Sequence, residues 1–88
     1  MGEVAIVYKV TPEGTEVDLA ALQNNITNSI PEHARLNKIE EKPLAFGLKF
    51  LEVQIILDDR KGGSDEIETW LAGLDGVQNV DVVQMGLL

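Results

Sequence analysis

The side chains able to do chemistry in this chain are few, and they do not converge. His33, in the run Pro31-Glu32-His33, is the one histidine, and there is no cysteine. Imidazole-only and thiolate metal sites, disulfides and cysteine nucleophiles are excluded together. A His33–carboxylate site has no second ligand to support it, so His33 reads as a solvated loop residue. Asp58-Asp59 has the look of an acid or metal pair. Neighbours on a strand point to opposite faces, however, so the pair reads as a strand exit that also aids solubility. Gly62-Gly63-Ser64 precedes an apolar-periodic run, and a phosphate can sit at such a helix start. The motif is neither a Walker loop nor GxGxxG, and Asp65 and Glu66 would repel an anion, so a turn is expected. Trp70 lies at helical spacing from Ile67 and Leu74 and reads as core. No serine or threonine stands in a motif beside a general base. The chain therefore carries no constellation for covalent catalysis.

The elements that would position these residues follow from periodicity. Residues 3–11 alternate as a strand, with Val4, Ile6, Tyr8 and Val10 on one face and Ala5, Val7 and Lys9 on the other. Pro12 and Gly14 break it. Residues 18–30 form a helix on the spacing of Leu19, Leu22, Ile26 and Ile30, with Asp18 as N-cap and Pro31 as terminator. Residues 34–41 alternate poorly and carry charge, which suits a strand at a sheet edge, and Pro43 suggests a turn or bulge after it. Residues 46–58 form the longest strand: Leu51, Val53, Ile55 and Leu57 share one face, while Phe50 and Ile56 flank Glu52 and Gln54 on the other. Residues 60–63 are a loop. Residues 64–75 form a second helix capped by Ser64, with Ile67, Trp70, Leu71 and Leu74 inward and Gly76 at the left-handed C-cap. Residues 77–85 form a last strand with Val80 and Val82 on one face. The order βαββαβ predicts an α+β fold: a ferredoxin-like α/β sandwich, a four-stranded antiparallel sheet with two helices on one face. Residues 1–88 make one domain.

Charge narrows the partners. The net charge is −8, from 15 Asp and Glu against 7 Lys and Arg. Direct nucleic-acid binding needs a basic face, so it is excluded, as is an anionic membrane surface. The sheet lacks the aromatic and basic pattern of an RNA-recognition domain. An acylphosphatase would need an anion-binding arginine near the first loop, and here that loop, TPEGTEVD, is acidic. No apolar run approaches a membrane span and no secretory signal shows, which predicts a cytoplasmic protein. A basic protein partner stays compatible with the charge.

The run PLAFGLKFLEVQIILDDRKGGSDEIE, followed by GLDGVQNVDV, resembles the guanine-nucleotide exchange domain of translation elongation factor 1-beta. The similarity extends over essentially all 88 residues, with MGEVAIVYKVTPEG, VDLAALQ and IPEHARLNKIEEKPLAFGL in order. Pro43, Phe46-Gly47-Leu48 and the VQxxDV segment carry it jointly. The resemblance implies a ferredoxin-like fold, no enzymatic step and no cofactor. It implies acceleration of GDP release, and so of GTP rebinding, on the GTPase elongation factor 1-alpha by a protein that is a monomer when free. Residues expected to face the GTPase are Lys42, Phe46 and Lys49 in the hairpin lead-in, and Met85, Gly86, Leu87 and Leu88 at the end. The chain departs from the family at one point. Members usually carry a basic residue just before the last one or two positions, whereas here Gly86 and Leu87 stand there and no basic residue follows Lys61. A lysine-based displacement of magnesium is not carried over. Met85, Leu87 and Leu88 either wedge into the partner or finish the last strand against the core.

Two other readings compete. A small-molecule-binding regulatory module of the same fold would show a specific site at a dimer interface. A small hydrolase would need a convergent basic or histidine site.

Overall fold

In the computed structural model, which describes residues 2–31, 34–45, 47–58 and 64–87, the chain runs β1 (Glu3–Pro12), α1 (Leu19–Ser29), β2 (Ala34–Pro43), β3 (Lys49–Asp58), α2 (Ser64–Ala72) and β4 (Val77–Leu87). The strands form one antiparallel sheet in the order β2-β3-β1-β4. The two strands with the cleanest alternation, β1 and β3, are the central pair. Val10 lies opposite Leu51, Tyr8 opposite Val53, Ile6 opposite Ile55 and Val4 opposite Leu57. This register puts every inward residue of both strands on one face, and a one-residue slip would turn them all to water. That face is covered by α1, through Leu22 and Ile26, and by α2, through Ile67 and Leu71. These four helix residues are buried, and the described residues include no buried charged side chain. The ferredoxin-like sandwich is the observed fold.

The helix ends follow the expected chemistry. Asp18 Oδ1 accepts hydrogen bonds from the amides of Ala20 at 3.0 Å and Ala21 at 3.2 Å. Two of the orphan donors of the first turn are thereby satisfied. Asp18→Ala should therefore cost about 1 kcal/mol, measured as a lower urea midpoint with an unchanged slope. At the other end Ile30 is extended (φ −61°, ψ 134°), the conformation that Pro31 imposes on the residue before it. Gly76 takes φ 86° after α2, and its carbonyl accepts from the Glu13 amide at 2.8 Å. A Cβ there would stand 3.0 Å from Val17 Cγ1, so conformation and space both call for glycine.

The differences from the periodicity reading lie at element ends. Strand β2 continues through Pro43, which pairs with Lys49 as the last residue of an edge strand. Proline is tolerated there because its missing N–H removes little from the ladder. The turn expected at Pro43 follows it directly, closed by hydrogen bonds from the Leu44 and Leu48 amides, and a separate irregularity falls at Asn37, between Leu36 and Lys38. Strand β3 begins at Lys49, because Gly47 (φ 81°) belongs to the turn before it. Helix α2 ends at Ala72, ahead of a turn, and Trp70 is only half-buried at the rim of the core. Strand β4 runs two residues past position 85, to Leu87. His33, Asp59, Gly62 and Gly63 lie outside the described residues, as does the Ser64 side chain.

Candidate partner-binding surface

The hairpin joining β2 to β3 is built by a short turn. The Leu44 amide donates to the Leu48 carbonyl at 2.7 Å, and the Leu48 amide donates to the Ala45 carbonyl at 3.0 Å. Lys42 and Lys49 flank this turn. Lys42 lies opposite Phe50, and its Nζ is 3.1 Å from Glu52 Oε1. Lys49 Nζ is 3.2 Å from Glu41 Oε1. Both lysines are substantially exposed, so these pairs fix their direction more than they add stability. Phe46 lies outside the described residues, while its neighbour Leu44 is exposed.

The alternation of β1, β2 and β3 gathers polar side chains on the face of the sheet away from the helices. Lys9 Nζ sits 4.9 Å from the centre of the Phe50 ring, a cation–π distance. Asn37 Nδ2 donates to Gln54 Oε1 at 2.6 Å. Lys38 and Glu40 form a 2.9 Å pair; that hydrogen bond raises the Lys38 pKa and lowers that of Glu40. Sequence alone carries no signal for the Lys9–Phe50 contact, because it depends on the register of two strands far apart in the chain.

A cleft of about 370 Å³ opens at the hairpin end, between the β1–α1 loop and β3. Its charged lining is already engaged: Lys49 pairs with Glu41, and Asp18 caps α1. Among the described residues no group of three or more His, Cys, Asp or Glu side chains could hold a metal ion. No described helix is long and apolar enough to cross a membrane.

The second set of candidate residues lies at the opposite end of the sheet. Met85 is opposite Ile6, Gly86 opposite Ala5, and Leu87 opposite Val4. Lys42, by contrast, is opposite Phe50, one step beyond the Val10–Leu51 row. From the Val10 row to the Val4 row β1 takes six steps, about 20 Å. Across the sheet Lys42 on β2 also stands three strand spacings from β4, about 14 Å, and Lys49 on β3 two, about 10 Å. The structure thus sets Lys42 and Lys49 at one end of the sheet but on opposite faces, Lys42 beside Phe50 on the open side and Lys49 on the helix side, and it separates both from Met85, Gly86 and the Leu87 backbone. Met85 is 54% exposed, so it does not close the core. Leu88 lies outside the described residues.

Sequence reasoning missed two exposed residues beside this second group. Val82 and Val83 are 42% and 54% exposed, whereas Val80 on the same strand is buried. A register shift between the Val7 and Tyr8 rows leaves Val83 as an extra residue of β4. The one available signal was the single charge in VQNVDVVQMGL.

Comparison with known proteins shows the family of the chain. The model of the EF-1 guanine nucleotide exchange domain matches residues 5–88. Elongation factor 1-beta of Methanothermobacter thermautotrophicus is 44% identical over 85 residues, 97% of this chain and 96% of that protein. The protein of the same name from Natronomonas pharaonis is 43% identical over 86 residues, 98% of each chain. That of Methanosarcina acetivorans is 45% identical over 85 residues, 96% of each. With a family match running from the first strand to the end of the last, and relatives of this identity along nearly their whole length, the chain belongs to the EF-1 guanine nucleotide exchange domain family.

Proposed function

We infer that this chain is a guanine-nucleotide exchange factor that promotes GDP release and GTP rebinding on elongation factor 1-alpha during polypeptide elongation. The observation that carries the reading is the family match over residues 5–88, which takes in all six elements. The chain acts by binding and not by turnover, as a monomer in the cytoplasm, and needs no cofactor of its own. Its task is thermodynamic: a factor that binds the GTPase better without nucleotide weakens nucleotide binding by the same factor.

The two separated groups of candidate residues suit one large partner. A standard interface covers roughly 800 Å² on each side, a patch about 30 Å across if round. One footprint on the helix side can therefore reach from Lys49 to the end at Met85, while Lys42 faces the open side of the sheet. Exposed Met85, followed in the chain by Leu87 and Leu88, supplies an apolar wedge. The charge of −8 favours fast encounter with a basic GTPase surface.

Linkage provides the test. Calorimetric titration should show nucleotide-free elongation factor 1-alpha bound at least tenfold more tightly than the GDP–magnesium form, within the roughly 5–150-fold range typical of such coupling. Equal affinities would contradict the reading, since a ligand that binds two states equally shifts neither.

A further inference from the structure

The two edges of the sheet are guarded very differently. Strand β2 carries Arg35, Lys38, Glu40, Glu41 and Lys42 and ends in proline. Those are the usual devices against unwanted strand pairing. Strand β4 is also an edge, 11 residues long, yet it contains one charged residue, Asp81, and no lysine or proline. Three of the four large hydrophobic residues found exposed lie on it: Val82, Val83 and Met85. Register sorts its side chains. Val82 and Met85, opposite Tyr8 and Ile6, are on the helix side, while Asp81 and Gln84, opposite Lys9 and Val7, are on the open side.

We propose that the free edge of β4 accepts an extended segment of a protein partner in which apolar and basic residues alternate. Such a segment adds a fifth strand. Its backbone pairs with the edge, its apolar side chains lie along Val82 and Met85, and its basic side chains lie on the side of Asp81 and Gln84. The extra residue Val83 bends the edge, which favours a short occupant over a long flat one.

Charge and area decide against a second copy of this chain. At the density of ordinary interfaces, an edge of 11 residues contributes roughly 300–450 Å² per copy, so two copies fall below the roughly 1,000 Å² expected of a stable pair. Two copies would also each bring a net charge of −8. A basic segment has the same modest contact area but gains attraction where a second copy meets repulsion.

The probe is a labelled nine-residue peptide alternating lysine and valine, titrated into the intact chain. Amide NMR shifts should change along residues 79–87 and not along β2, with affinity falling as salt rises. A peptide with glutamate in place of lysine should bind at least tenfold more weakly. So should the lysine peptide with its central valine replaced by proline, which leaves the protein untouched and removes a strand donor. Val82→Lys, at an exposed position and with its fold checked by circular dichroism, should also weaken binding at least tenfold. Shifts centred on β2 or the helices, equal binding of the glutamate or proline peptide, or unchanged binding by Val82→Lys would each overturn the proposal. So would concentration-dependent self-association through β4 that excludes the lysine peptide.

Discussion

An Ile55→Ala chain is expected to unfold about 12–24 °C below the parent. Ile55 is fully buried on β3, between Ile6 of β1 and Leu36 of β2, beneath the two helices. Truncating a buried isoleucine removes its transfer energy and leaves a cavity that strand neighbours on both sides cannot close, about 3 kcal/mol. A small domain loses roughly 4–8 °C per kcal/mol. A total stability of about 5–15 kcal/mol makes this a large fraction of the whole. Calorimetry and urea unfolding should agree, with the midpoint displaced and the slope retained. A displacement under about 4 °C would mean that this position is not the packed centre of the sheet.

The second large effect is alkaline. Tyr8, fully buried on β1, has its pKa pushed up to about 12, first by burial and then by the carboxylates of Glu68 and Asp65. The fold thus favours the neutral phenol over the phenolate. Stability from this preference is intact below pH 10, the ordinary tyrosine value, and is lost as pH rises from 10 through about 12. At about 1.4 kcal/mol per pKa unit, the loss is of order 2–3 kcal/mol. Tyr8 is the only tyrosine, so the pH-dependent rise in near-ultraviolet phenolate absorbance follows its ionisation alone. The expected midpoint is about 12 in the folded chain and about 10 in strong denaturant. Tyr8→Phe should lack this part of the alkaline destabilisation. A folded-state midpoint near 10 would contradict the buried, acid-flanked setting.

The parts of the fold legible in the sequence were those with local causes. Alternation in β1 and β3, the stripe of α1, the Asp18 cap and Gly76 all follow from residue type and spacing, and they suffice for the sheet and its helical cover. The bulges at Asn37 and Val83 were not legible, because each arises from pairing with a distant strand. The same holds for the candidate surface. Exposure of Met85 and Val82 depends on β4 lying at an edge of the sheet, where Val80 still joins the core and Val82 and Met85 do not. Spacing alone left open whether Met85 closes the core or faces outward; it lies in β4 and is exposed. The distance between the hairpin lysines and Met85 likewise needs the strand order, which no single motif contains.

The most direct test of the exchange reading is release of a fluorescent GDP analogue from elongation factor 1-alpha of Methanothermobacter thermautotrophicus, in magnesium. That organism's own elongation factor 1-beta, 44% identical to this chain, serves as the positive control. Adding the chain should accelerate release at least tenfold, with the rate rising and then saturating with its concentration. Removing Gly86 to Leu88 should reduce the acceleration if the apolar end acts as the wedge. A folded sample that leaves the release rate unchanged, under conditions where the control accelerates it, would contradict the account.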